Sequence, residues 1–90
     1  MKKAVITVVG KDSVGIIAKV CTYLAENNIN ILDISQTIIS GLFSMIMMVD
    51  ISSPHCNFDE ISHDLTALGE EMNLQIRIQR GEIFDTMHHI

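Results

Sequence analysis

The spacing of hydrophobic positions along the chain alternates between the period of a strand and the period of a helix. Residues 4–9 form an unbroken run of mostly small and β-branched side chains, which predicts a central strand. Beyond the break at residues 10–13, apolar positions fall at three- and four-residue steps, as on one face of a helix. This stripe comprises Ile17, Val20, Cys21 and Leu24. Asp12 or Ser13 is the predicted N-cap of the helix, and Asn27–Asn28 is expected to end it.

A pattern of period two follows these asparagines. In residues 29–39 apolar side chains alternate with polar ones, and in residues 43–51 every second residue is apolar on one face: Phe43, Met45, Met47, Val49 and Ile51. Ser40–Gly41, between the two segments, is a hairpin turn signal. The two segments therefore predict an antiparallel pair of strands. The apolar face of the first one is expected to consist of Leu32, Ile34 and Ile38.

The clearest helix in the sequence lies between residues 57 and 72. Asn57 followed three residues later by Glu60 resembles a capping box with asparagine as the cap. The apolar positions of this helix are Phe58, Ile61, Leu65, Leu68 and Met72. Residues 74–79 then alternate between aliphatic and polar side chains, which predicts a last strand with one face in water.

The predicted order of elements is strand, helix, strand, strand, helix, strand. Right-handed crossovers place both helices on one face of a four-stranded antiparallel sheet, which is a ferredoxin-like α+β sandwich of βαββαβ topology. This domain is expected to occupy residues 4–80, and residues 81–90 predict a short C-terminal amphipathic helix. The third strand adds Ile46 and Met48 to the sheet face that the two helices leave open. Either the tail or a second subunit is expected to cover that face.

The composition narrows the possible partners. The chain has 48% hydrophobic but only 4% aromatic residues, so its core must be aliphatic. The net charge is −5 and the basic residues are scattered, so we expect no nucleic-acid partner. No apolar run approaches the ~18 residues of a membrane span, and no signal-peptide cleavage pattern follows the first residues, so we expect a cytoplasmic protein without a membrane partner. Cys21 and Cys56 lack CxxC spacing, and Cys21 is expected to be a buried free thiol.

Three functions known for this topology each require residues that can be checked. RNA binding of the RRM type needs aromatic side chains on the first and third strands, which hold only Phe43. A soft-metal chaperone needs a CxxC pair in the loop at residues 10–15, and that loop has no sulfur. An acylphosphatase needs an arginine in the same loop, but Arg77 and Arg80 lie in or beside the last strand. We therefore predict no catalytic residue, no metal site and no cofactor.

Two motifs at the ends of the predicted first helix remain. Asp12-Ser13-Val14-Gly15-Ile16 precedes and opens it, and Asn28-Ile29-Asn30-Ile31 follows it. The pair resembles the D-x-x-G-[IL] and N-x-N-I signature of ACT domains, with Val14 where many relatives have proline. The resemblance covers residues 4–80. The chain looks like a free-standing, single ACT domain that is similar to the halves of glycine-cleavage regulators.

This resemblance implies a regulatory protein that catalyses nothing, forms a homo-oligomer (a dimer is favoured), and binds an amino acid or a similar small ligand between subunits. The ligand-binding residues it implies are Asp12, Ser13, Val14, Gly15, Asn28 and Asn30. A helix N-terminus favours a carboxylate, and Asp12 with Asn30 could hold an α-ammonium group. Each of these residues also has a structural interpretation as a cap, packing or turn residue. An oligomerisation module without a ligand is the alternative function.

Overall fold

The computed structural model describes residues 2–11 and 14–81, and it contains the six predicted elements in the predicted order. The strands are β1 (Lys3–Lys11), β2 (Asn30–Ile39), β3 (Leu42–Asp50) and β4 (Leu74–Arg80), and the helices are α1 (Ile16–Glu26) and α2 (Phe58–Met72). All strand pairs are antiparallel, in the order β2-β3-β1-β4. The predicted ferredoxin-like sandwich is therefore confirmed. Of the C-terminal helix predicted at residues 81–90, Gly81 forms a turn, and residues 82–90 lie outside the described residues.

One face of the sheet carries the core. Ile6 of β1 pairs with Met47 of β3 on one side and with Ile78 of β4 on the other, so the inner strands present matching aliphatic side chains to the helices. The largest fully buried side chains are Phe43, Ile6, Ile16, Leu24, Met45, Met47, Leu65, Val8, Val20 and Val49. One aromatic ring among them agrees with the aliphatic core expected from composition. Burial of such side chains is the main favourable term in folding.

Two local signals in the sequence form the expected structures. Ser40 and Gly41 have positive φ angles of 52° and 80°, as a two-residue turn between β2 and β3 requires. The Asn57 side chain accepts a hydrogen bond from the Glu60 N–H at 3.1 Å and caps α2. Asn28, with φ 58°, also takes the left-handed conformation expected after α1.

The start of α1 differs from the prediction. Its N-cap residue is Gly15 rather than Asp12 or Ser13, because Val14 and Gly15 form a turn before the first helical residue. Gly15 has φ 89°, a left-handed conformation that an L side chain rarely adopts. The predicted cap residues Asp12 and Ser13 lie outside the described residues.

The buried stripe of α1 contains two of its four predicted residues, Val20 and Leu24, and adds Ile16. It consists of Ile16, Val20 and Leu24, at steps of four. Ile17, predicted to lie on this stripe, is exposed, because adjacent helical positions point about 100° apart. Cys21 is a free thiol as expected, but it is half-buried rather than buried.

Candidate functional site

Among the residues that the structure describes, no side chain caps the N-terminus of α1, which follows the loop after β1. Gly15 has no side chain to accept a hydrogen bond, and the first turn of α1 holds no acidic residue. The N–H groups of the first helical turn and the positive end of the helix dipole favour an anion. An ideal Cβ on Gly15 would meet no atom within 4 Å, so the backbone conformation rather than crowding requires glycine. Val14 beside it is fully exposed.

A groove of about 270 Å³ runs from this N-terminus to β2. Its lining residues are Gly15, Ile16, Ile17, Ala18, Gln36, Ile38 and Phe43. Ile16 and Phe43 are buried and form its floor, whereas Ile17 and Ile38 are exposed walls. Gln36 contributes the one polar side chain of the lining. Such a groove suits a small molecule with a charged group at the helix end and an aliphatic portion.

Sequence reasoning missed Gln36, Ile38 and Phe43 as site residues. Along β2, Ile34, Gln36 and Ile38 face the helix side because they pair with β3 residues of that face. The signal in the sequence was Gln36 itself, a polar residue within an otherwise apolar face. It indicated a surface that is only partly covered.

The two predicted asparagines lie at the other end of α1. Asn28 follows the helix, Asn30 begins β2 opposite Asp50 of β3, and both asparagines are exposed. Because α1 has 11 residues, it is about 16 Å long and separates both from Gly15. The structure thus brings Val14 and Gly15 together and Asn28 and Asn30 together, but it does not join the two pairs within one chain. Asp12 and Ser13 lie outside the described residues, and their roles stay predictions.

Strand β2 lies at one edge of the sheet, and only Ile31 of its residues is even half-buried. Ile34 and Ile38 are 43% and 55% exposed although they face the helix side of the sheet. Leu32 has no partner in β3 because the register shifts between Ile31 and Asp33. An edge strand also presents unpaired N–H and C=O groups. β2 therefore combines free hydrogen-bonding groups with exposed isoleucines.

A second cleft, of about 520 Å³, separates α1 from α2. The Tyr23 hydroxyl donates a hydrogen bond to Asp64 Oδ2 at 2.8 Å across it, and Lys19 Nζ lies 3.6 Å from Glu71 Oε1. Burial and the bond to Asp64 raise the pKa of the Tyr23 phenol above its ordinary value, so this hydroxyl remains a donor at neutral pH. Both bridges are polar and partly exposed, and they tether the two helices.

Residues 2–11 and 14–81 offer neither a metal-binding cluster nor a membrane-spanning helix. This part of the chain contains no group of three histidine, cysteine, aspartate or glutamate side chains placed to hold a metal ion. Neither of its helices is long and apolar enough to cross a membrane.

The βαββαβ fold and the sequence both match a known family. The family model of the ACT domain matches residues 2–79. The chain belongs to the ACT domain family. A UPF0237 protein of Bifidobacterium longum is 54% identical to it over 90 residues, the full length of both chains.

Solved structures of ACT proteins agree with this assignment. An ACT domain protein from Streptococcus pneumoniae has a TM-score of 0.82 and 41% identity, covering 92% of this chain and 93% of that one. A candidate glycine cleavage system transcriptional repressor has a TM-score of 0.78 and 28% identity, covering 88% of this chain and 45% of that one. The predicted similarity to glycine-cleavage regulators is thus confirmed. ACT domains are typically regulatory modules that bind small ligands.

Proposed function

We propose that this ACT domain is a non-catalytic regulator that binds an amino acid between two copies of the chain. The main support for this proposal is that the two motifs lie at opposite ends of β2. Gly15 lies near one end of β2 and Asn30 at the other, and the β2 edge between them is open. One chain therefore holds two half-sites that it cannot join itself.

An antiparallel pairing of β2 with β2 of a second copy would join them. The strand has ten residues and spans about 34 Å, so a two-fold axis near its middle brings Asn30 of one copy to the Ile38–Ile39 end of the other. Ile38 lines the groove that begins at Gly15. The pairing would also satisfy the free edge and bury the exposed isoleucines. Two equivalent sites would result, each built from both copies.

The chemistry of each site suits an amino acid. The N–H groups at the start of α1 would hold the carboxylate, as helix N-termini do for anions. The amide oxygen of Asn30 from the second copy would accept a hydrogen bond from the α-ammonium group, and Asp12 would supply an opposite charge. Ile17, Ile38 and the buried ring of Phe43 would enclose an aliphatic side chain in the groove of about 270 Å³. Because ligand contacts come from both copies, binding would stabilise the dimer.

Thermal unfolding of the full chain in the presence of each of the common amino acids tests the ligand. A compound present at 100 times its Kd should add about 2.7 kcal/mol to the free energy of unfolding. Asn30→Ala should abolish the shift, and Gln75→Ala, an exposed amide on the opposite edge strand, should leave it intact. If no amino acid shifts the unfolding transition, the proposal of an amino-acid ligand is wrong. A shift that survives Asn30→Ala would overturn the proposed site.

Light scattering tests the pairing. Ile34→Lys places a charge in the middle of the exposed face of β2 and should convert the dimer to a monomer. Ile46→Lys is the matched control, because Ile46 is also an exposed strand isoleucine but lies on the opposite face of the sheet. Dissociation by Ile46→Lys alone would show that the copies meet through the sheet face.

The alternative function is an oligomerisation module without a ligand. The exposed Ile34, Ile38 and Ile39 favour it, since they would be buried by pairing alone. A dimer that dissociates with Ile34→Lys but shows no shift with any amino acid would support this alternative.

A further inference from the structure

The cleft of about 520 Å³ between α1 and α2 is lined, among residues 2–11 and 14–81, by side chains of these two helices only. Its apolar surface comes from Ala18, Ala67, Leu68 and the ring of Tyr23. The two alanines are exposed, and Leu68 and Tyr23 are half-buried, so a partner can reach this surface. Small side chains on both walls let another backbone come close to the two helices.

The polar residues of the cleft are mostly acidic. Glu26, Asp64 and Glu71 are exposed carboxylates along it, and Lys19 is the basic residue among the described lining residues. Lys19 Nζ lies 3.6 Å from Glu71 Oε1, so its charge is balanced by Glu71. Asp64 accepts a hydrogen bond from the neutral hydroxyl of Tyr23. Within the described chain, Glu26 and Asp64 therefore have no basic side chain as a partner.

The net charge of the chain resides in the same two helices. α1 and α2 carry six acidic residues and one basic residue, whereas the rest of the chain carries five of each, so the helix layer accounts for the net charge of −5. The acidic residues of the layer are Glu26, Asp59, Glu60, Asp64, Glu70 and Glu71. A surface of this sign repels nucleic acids and anionic membranes. It also opposes docking of the helix layer of a second copy, because two faces of like charge would meet.

We propose that the cleft between α1 and α2 is a docking site for a basic amphipathic helix of a partner protein. The apolar side chains of such a helix recur at three- and four-residue steps and would pack on Ala67, Leu68 and the Tyr23 ring. Lysine or arginine side chains beside this stripe would pair with Glu26 and Asp64. Because α1 has 11 residues and is about 16 Å long, about three turns of the partner helix match the cleft.

This docking site goes beyond the proposed function and does not depend on it. The groove at Gly15 lies between α1 and β2, whereas the cleft lies between α1 and α2. Pairing of β2 with β2 of a second copy would extend the sheet and leave both helix layers on the same side. Each copy of the dimer would thus keep its cleft open to a partner. The loss of amino-acid binding in Asn30→Ala should leave docking unchanged.

An NMR titration of the isotope-labelled full-length chain locates the docking site. The probe is a synthetic peptide of about 14 residues, built from leucine, alanine and lysine in the pattern of an amphipathic helix. We expect saturable shifts of the amide resonances of Thr22, Ala67 and Leu68, while those of Ser35 and Thr37 on β2 stay in place. The same peptide with glutamate in place of lysine should cause no shift. The proposal is wrong if the basic peptide does not bind or if its shifts centre on β2.

Neutralising one carboxylate at a time separates docking from general attraction between opposite charges. Glu71→Gln removes a charge from the cleft and leaves Lys19 unbalanced, so the Kd of the basic peptide should rise about two- to fivefold, the range of exposed ion pairs. Glu70→Gln is the matched control, because Glu70 lies on the same helix and is exposed but does not line the cleft. Equal increases in Kd for both variants would contradict a docking site and indicate attraction to the whole acidic layer.

Filling the cleft tests its shape. Ala67→Phe places a ring in the cleft and should raise the Kd of the basic peptide about tenfold or more, because the peptide helix can no longer come close. Ala25→Phe, at an exposed position of α1 outside the cleft, should leave the Kd unchanged. Both alanines are exposed, so both variants are expected to fold. Unchanged binding to Ala67→Phe would overturn the proposal. The same shifts with spermine as with the peptide would also overturn it, since this small polycation has no apolar face to dock.

Discussion

Gly69→Ala is expected to destabilise the protein although alanine is the better helix former. Gly69 lies within α2, where replacing glycine with alanine normally gains about 1 kcal/mol. Here a Cβ would lie 2.7 Å from the Leu74 carbonyl oxygen and 3.1 Å from Ile76 Cγ1. The oxygen belongs to the backbone of β4, so relief requires α2 to move away from the sheet. Overpacking of this kind costs about 1–3 kcal/mol.

The difference between these two effects sets the expected magnitude. Subtracting a gain of about 1 kcal/mol from a cost of about 1–3 kcal/mol leaves a net loss of about 0–2 kcal/mol. A loss of about 1 kcal/mol would lower the Tm of a domain of this size by about 4–8 °C. Urea unfolding of Gly69→Ala measures it. Ala67→Gly, at an exposed position of the same helix, is the control and should cost about 1 kcal/mol from helix propensity alone. Stabilisation by Gly69→Ala would refute the close approach of α2 to β4.

Three other predictions concern caps, turns and acid stability. Asn57→Ala removes the acceptor of the Glu60 N–H and should lower the free energy of unfolding in urea by about 1 kcal/mol. An unchanged stability would contradict the role of Asn57 as a cap. Gly15→Ala forces a side chain into the left-handed region and should cost about 1–2 kcal/mol without any steric clash, so Gly15→Asn should cost less. Hydrogen bonds from the Ser52 hydroxyl and N–H lower the pKa of Asp50 below its ordinary 3.8. The contribution of Asp50 to the free energy of unfolding is therefore present above pH 3.8 and is lost as the pH falls through the folded pKa. Asp50→Asn should make the free energy of unfolding less dependent on pH in this acid range. An unchanged pH dependence would contradict the role of these hydrogen bonds.

Local signals explain why most of the fold could be predicted from the sequence. Asn57 with Glu60 and the pair Ser40–Gly41 act through neighbouring backbone groups, so their meaning does not depend on the rest of the chain. The face of α1 is a different case. Ile16 and Ile17 are adjacent and equally apolar, and only the docking of the helix on the sheet decides that Ile16 is buried. A hydrophobic period thus predicts the spacing of the buried residues, but it does not decide which of two adjacent apolar residues is buried.

The exposure of β2 shows what the period of a strand leaves open. The alternation in residues 29–39 correctly places Ile34 and Ile38 on one face, but Leu32 falls at the register shift and both isoleucines are exposed. The reason is the position of β2 at the edge of the sheet, where α1 covers the strand only in part. Strand order depends on long-range pairing, and the alternation of apolar and polar residues does not predict it. An apolar face that stays exposed at an edge indicates a partner rather than a core.

The candidate site follows the same logic at a larger scale. Along the sequence, the motif around Gly15 and the motif around Asn30 flank one helix and resemble the two parts of a single site. In the folded chain that helix holds them about 16 Å apart, at opposite ends of an open edge strand. Glycine at a helix start and asparagine at a strand start each have a structural role within one chain. Under the proposed function, their combination gains a binding role only when a second β2 runs antiparallel to the first. Ligand binding should therefore require the dimer. A monomeric variant such as Ile34→Lys should lose the dimer and the ligand-induced shift in thermal unfolding together.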